Sequence, residues 1–157
     1  MNNWIYYSMI TAGTFILMEG VAWFTHKYIM HGLLWVLHKD HHHKDHDSIM
    51  ERNDFFFLIF ALPAIACIAI GTLYGYATPF WIGVGVTLYG AAYFFVHDIF
   101  IHQRIKIFRN SDHWYFKAIR RAHKMHHKHT GKEHGECFGM LWVPFKYFIS
   151  QHKNTVA

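Results

Sequence analysis

Between Phe55 and Val96 the chain carries no charged residue of either sign. That length is about twice the ~20 residues one helix needs to cross a hydrocarbon core ~30 Å thick. Gly75-Tyr76-Ala77-Thr78-Pro79 interrupts it with a short uncharged turn. The stretch therefore predicts two membrane spans, about 55–76 and 80–101, closed into a tight hairpin. A further apolar segment, about 4–24, holds one acid, Glu19, and has no basic n-region and no A-x-A cleavage site. It reads as a retained span rather than a removed signal peptide.

Charge placement orients the spans. None of the fifteen Lys and Arg lies in 1–26 or 53–103; four fall between Lys27 and Arg52, and eleven follow from Arg104 onward. Basic loops gather on the cytoplasmic side, so the N-terminus and hairpin tip are expected outside and the 27–54 and 104–157 segments inside. The +5 formal charge is thus a membrane-topology signal and argues against nucleic acid. Cys67 and Cys137 form no CxxC, and a disulfide framework is not expected. Gly71, Gly75, Gly83, Gly85 and Gly90 suit close helix approach or a groove for a long lipid.

The expected fold class is an all-α integral membrane protein: about three to four membrane-embedded helices under a cytoplasmic histidine-rich helical cap, residues 1–157 forming one domain. In the tail, Ser111 or Asp112 is the expected N-cap of a helix burying Trp114, Phe116, Ile119 and Ala122, with Lys117, Arg120 and Arg121 wet. The run about 138–149, too short to span and holding Pro144, is expected to be interfacial or re-entrant.

Sixteen histidines are several times the usual share, and ten fall in one pattern used twice. His26 and His31 are separated by four residues and followed by His38, His41 and His42. His97 and His102 repeat the separation and are followed by His123, His126 and His127. In a helix His-x2-His-His shares one face, so three imidazoles can converge on a metal or metal pair. Five residues advance about 500°, leaving His26 and His31 roughly 140° apart in a regular helix. Either each serves a different metal or the helix loosens near Gly32; the pattern favours two metals. A metal-buffering loop accounts for His41, His42, His43 and His46 alone, and zinc-finger spacing fails for want of cysteines. Carboxylates near the boxes are few: Asp40, Asp45, Asp47, Asp98 and Asp112. Glu19, about 20° from His26 around the helix, is expected either to bond a ligand histidine or to be a protonated packing residue. Asp98 and Asp112 are expected in similar supporting roles. His43, His46, His113, His129, His134 and His152 fall outside the pattern and read mostly as surface residues, with His129 or His134 near enough to reach the cluster.

The boxes H-K-Y-I-M-H, H-K-D-H-H, H-D-I-F-I-H and H-K-M-H-H, with M-E-G-V-A-W-F-T-H, E-R-N-D-F-F-F and C-F-G-M-L-W-V-P, resemble the bacterial β-carotene 3-hydroxylases of the membrane fatty-acid hydroxylase and sterol desaturase superfamily. The resemblance implies a monooxygenase of the bacterial inner membrane, with the ten box histidines as ligands, or near neighbours, of two non-haem irons; zinc is a possible substitute in purified protein. It implies O2-dependent hydroxylation of carbon 3 of carotenoid β-ionone rings, from β-carotene through β-cryptoxanthin to zeaxanthin. The partners implied are the carotenoid, membrane lipids and an external electron donor such as ferredoxin, for which Arg120, Arg121, Lys124 and Lys128 offer a docking face. The alternatives are a hydroxylase or desaturase of another lipid, fatty acyl or sterol, and a non-enzymatic membrane metal-binding protein. A transport path is disfavoured, since the histidines crowd one end of the spans.

Overall fold

The computed structural model describes residues 3–43, 48, 50–108 and 110–149; Asp45, His46, Asp47 and His152 lie outside them. Every regular element among the described residues is helical. Helix α1 (Asn3–Phe24) runs on through a π-helical segment, Thr25–Leu33, to α2 (Trp35–His42). A 3₁₀ turn, Arg52–Phe56, opens α3 (Phe57–Leu73). Helix α4 (Thr78–Phe94) passes into a second π-helical segment, Phe95–Ile101, and α5 (Trp114–Lys128) follows.

Three rods are long and apolar enough to cross a membrane: Asn3–Leu33, Arg52–Leu73 and Thr78–Ile101. The first overruns its expected limit of about 24 because the chain stays helical, in wider form, through the first histidine box, whereas the third ends at Ile101 as expected. The starts and the turn follow local chemistry. Glu51 and Asp54 form a reciprocal capping box ahead of α3, and Pro79 stands in the first turn of α4, where its missing N–H is not needed. Gly75 at the tip takes φ +71°, which only glycine adopts freely.

The glycines divide. A Cβ on Gly71 would lie 2.1 Å from Phe80 N, one on Gly83 2.8 Å from Ala64 O, and one on Gly85 2.8 Å from Thr11 O. These three let α4 lie directly on α3 and α1, whereas Gly75 and Gly90 meet nothing within 4 Å. Large apolar side chains such as Ile16, Leu17, Leu62, Ile65 and Leu73 point outward, as a lipid-facing surface requires. Tyr7 stacks on Trp81 at 5.1 Å beside Trp4 and Tyr6, an aromatic end opposite the histidines.

Helix α5 lies across the other end. Ala118, Ile119 and Ala122 pack with Val96, Met140, Val143 and Tyr147. Two expectations for it need correction. Its N-cap is His113, not Ser111 or Asp112, and Asp112 instead pairs with Lys117 at 2.6 Å. Trp114 is exposed rather than buried, and Arg120 is half-buried rather than wet: its guanidinium sits 4.0 Å from the Phe100 ring centroid and donates to Phe108 O at 2.8 Å.

Candidate metal centre

The two pairs separated by four residues lie in the two π-helical segments. Hydrogen bonds reaching back five residues, Leu34 N–H to Ile29 O at 2.7 Å and His102 N–H to His97 O at 2.9 Å, set residue i+5 one turn above residue i. His26 and His31 therefore face the same way, ring centroids 5.2 Å apart, as do His97 and His102 at 4.5 Å. The idea that members of a pair serve different metals is corrected: the helix loosens, and each pair stays together.

Two sets of imidazoles result, buried except for the half-buried His102. His26, His31, His38, His42 and His126 bring one ring nitrogen each within 4.8 Å of one another, and so do His41, His97, His102 and His123. Each set is built from one copy of the repeated pattern but takes the middle histidine of the other copy's His-x2-His-His, His126 in the first and His41 in the second. His127 stands between them, its ring 4.5 Å from those of both His42 and His123. Its Nε2 is buried and, among the described residues, has no hydrogen-bond partner.

The outer nitrogens fix the tautomers. His26, His31, His42 and His126 donate Nδ1–H to the carbonyls of Phe138, Lys132, His129 and Glu136 at 3.0, 3.2, 3.2 and 2.9 Å. His38 donates to Asn53 Oδ1 at 2.6 Å, His41 to Glu51 Oε2 at 2.8 Å and His97 to Asp98 Oδ2 at 3.3 Å. With the proton on Nδ1, each neutral ring turns an Nε2 lone pair inward. Yet Nε2 faces Nε2 at 3.1–3.2 Å in the pairs His26–His38, His31–His42, His31–His126, His38–His42 and His41–His97. Two lone pairs cannot hydrogen-bond. Extra protons are disfavoured as well: burial holds His38 down to about 2, and burial with neighbouring imidazoles holds His42, His126 and His127 to about 3. His41, His102 and His123 are lowered for the same reasons. What remains to satisfy converging lone pairs is a cation. The buried cluster can bind metal, and an all-imidazole donor set suits iron, zinc, copper or nickel.

A family model described as Fatty acid hydroxylase matches residues 11–146. The chain belongs to the fatty acid hydroxylase family. A Beta-carotene hydroxylase of Pseudescherichia vulneris is 43% identical over 141 residues, covering 87% of this chain and 76% of that protein. One of Pantoea ananas is 40% identical over 141 residues, covering 90% and 79%, and one of Paracoccus sp. (strain PC1) 36% over 137, covering 87% and 83%. No solved structure matches at a significant level. The chain is accordingly a membrane enzyme, a hydroxylating oxidoreductase.

Around the hydroxylase's histidines, sequence reasoning missed most of the supporting shell. Arg104 donates Nη1–H to Asp54 Oδ2 at 3.0 Å and Nη2–H to Glu51 Oε2 at 3.0 Å, and its Nε lies 3.1 Å from Asp98 Oδ1. The acids that hold His41 and His97 are thus themselves held by one guanidinium. The polar run Glu51-Arg52-Asn53-Asp54, set directly against an apolar span, and Arg104, the first cation after the basic-free stretch, were the available signals. Asp98 lies where a supporting role needs it; Asp112, exposed beside Lys117, does not. Glu19 departs from the first of its two expected roles, the bond to a ligand histidine. Among the described residues its oxygens accept from Tyr89 and from three backbone N–H groups, and no box histidine is a partner. His129 lends only its carbonyl, and His43, His113 and His134 are exposed.

Proposed function

We propose that this enzyme hydroxylates carbon 3 of carotenoid β-ionone rings through a non-haem di-iron centre, taking β-carotene through β-cryptoxanthin to zeaxanthin. The names of the relatives support the substrate. The observation that carries the metal centre is the inward convergence of Nε2 lone pairs whose Nδ1 protons are engaged elsewhere. His26, His31, His38, His42 and His126 would hold one metal, and His41, His97, His102 and His123, with His127, the other. Two redox metals supply the activation of O2 that an unactivated ring methylene demands. Zinc fits the same donors and would occupy them without providing that redox chemistry.

The reaction balances as R–H + O2 + 2 electrons + 2 protons giving R–OH + H2O, and the electrons require an external carrier such as ferredoxin. On α5, Lys117, Arg121, Lys124 and Lys128 fall within an arc of about 60°, opposite Ile119, Ala122, His123 and His126. That face supports docking of an acidic carrier, with Lys117 replacing the half-buried Arg120 of the expected set. Charge placement supports an inner-membrane orientation with the N-terminus outside and the histidines cytoplasmic. Exposed Trp142 and Phe145 support an interfacial 138–149 segment closing a single domain. A carotenoid, an apolar rod about as long as the bilayer core is thick, would then present an end ring at that level.

Coexpression in a bacterium accumulating β-carotene, with iron, air and a ferredoxin system, tests this reading. Hydroxylated pigments are expected. Unchanged β-carotene with the enzyme inserted and iron-loaded would reject the substrate, and lipid analysis of the same cells would reveal acyl hydroxylation instead.

A further inference from the structure

Glu19 is an acid within a membrane span, where a charged side chain is costly and ordinarily marks a function. Its Oε1 accepts the N–H groups of Met140, Leu141 and Trp142 at 2.8, 2.9 and 2.9 Å, while Oε2 accepts the Tyr89 hydroxyl at 2.7 Å. Tyr89 is buried in α4. Successive N–H groups converging on one oxygen form an anion-holding nest, and a single carboxylate thereby ties α1 and α4 to a turn far along the chain. The approach leaves no room for a side chain: a Cβ on Gly139 would lie 2.9 Å from Glu19 Oε1 and 2.9 Å from Trp142 O.

Among the described residues, those just before that nest touch the five-histidine set and not the other. Glu136 O accepts from His126 Nδ1 and Phe138 O from His26 Nδ1, at 2.9 and 3.0 Å. The Phe138 ring packs against His26, His31 and His126 with centroids 5.4, 5.1 and 5.2 Å away. In the second set His41 and His97 donate their outer Nδ1–H to Glu51 and Asp98 instead.

We propose that Glu19 is a positioning residue that pins the 136–142 turn and so aims the Nε2 atoms of His26 and His126 at the metal of the five-histidine set. The proposal rests on the metal reading above. It makes Glu19 site-selective: its loss should loosen one metal and leave the other.

The test follows iron release from the full-length, iron-loaded protein in detergent during timed exposure to EDTA. Glu19→Ala should speed release of about half the iron by roughly 10–100-fold, the effect usual for lost outer-shell support. Gly139→Ala should do the same, and it carries the comparison should Glu19→Ala fail to insert. Glu19→Gln, which keeps an oxygen for the three N–H groups, should largely restore retention. The decisive comparison uses paired backgrounds. In His123→Ala, which disables the four-histidine set, Glu19→Ala should speed loss of the remaining iron; in His126→Ala it should add nothing. Equal acceleration in both backgrounds means general loosening and overturns the proposal, as does no acceleration in His123→Ala. If neither histidine variant lowers the iron content, the metal reading itself falls and takes this proposal with it.

Discussion

His41 donates its Nδ1 proton to Glu51 Oε2 at 2.8 Å, and that same oxygen accepts from Arg104 Nη2 at 3.0 Å. The imidazole thus has its tautomer set by an acid that a guanidinium holds in place. Glu51→Ala leaves the buried Nδ1–H of His41 without its acceptor, a penalty of about 1–3 kcal/mol that the ring escapes by moving its proton to Nε2. That proton then points at His97, where a lone pair is needed. Metal affinity is expected to fall roughly 10–100-fold, with turnover falling in step, while Glu51→Gln, retaining an oxygen, loses less. Metal content and turnover measured on one preparation decide it, and full metal retention in Glu51→Ala contradicts the role.

Acid should destabilise the metal-free protein. Burial, with neighbouring imidazoles, places His42, His126 and His127 at about 3 in the folded chain, against an ordinary 6.5. Between those values the unfolded chain binds protons that the folded chain refuses, so stability rises with pH across the window and falls as pH drops from 6.5 toward 3. Thermal unfolding of apoprotein should show a melting temperature nearly level above about pH 7 that drops steeply below about pH 6. Bound metal should leave over the same range, because protons compete for its ligands. A melting temperature that climbs on acidification would refute the neutral-imidazole description.

The cationic face of α5 makes a kinetic prediction. Among the described residues no carboxylate pairs with Arg121, Lys124 or Lys128, and Lys124 and Lys128 are exposed. The double change Lys124→Glu with Lys128→Glu should raise the KM for reduced ferredoxin several-fold at low salt, the difference shrinking as the Debye length contracts from about 10 Å at 0.1 M to about 3 Å at 1 M. Metal content and turnover at saturating donor should hold. An unchanged KM with weakened binding to anionic vesicles would assign the face to lipid headgroups.

What the sequence disclosed and what it withheld have physical reasons. Length and apolarity revealed the spans, since the bilayer imposes both on any helix that crosses it. The doubled histidine pattern located the site because ligand types are rare enough to stand out. The π-helical segments stayed hidden. Converting five-residue spacing into angle assumes 3.6 residues per turn, and the helix departs from that value where the histidines need to share a face. Glu19 and Arg104 were opaque for another reason: their partners lie far along the chain, at Tyr89 and Met140–Trp142 for the one and at Glu51 and Asp54 for the other. Helical phase brought Glu19 close to His26, but the turn at 139–142 captured its oxygens first.

The doubled pattern itself supplies the sharpest test, at His127. Matching the copies member by member pairs His42 with His127 and His38 with His123. Since His42 belongs to the first set, His127 should complete the second. Its ring lies 4.8, 5.0 and 4.5 Å from those of His41, His102 and His123, and among the described residues its Nε2 has no hydrogen-bond partner. His129, two residues on, contributes a carbonyl to His42 Nδ1 and, among the described residues, its imidazole joins neither set. His127→Ala is therefore expected to lower turnover at least 10-fold and weaken retention of one metal, whereas His129→Ala, which keeps the carbonyl, should leave both within about 2-fold of the parent. Equal behaviour of the two variants would break the correspondence between the copies and leave the second metal with four histidines.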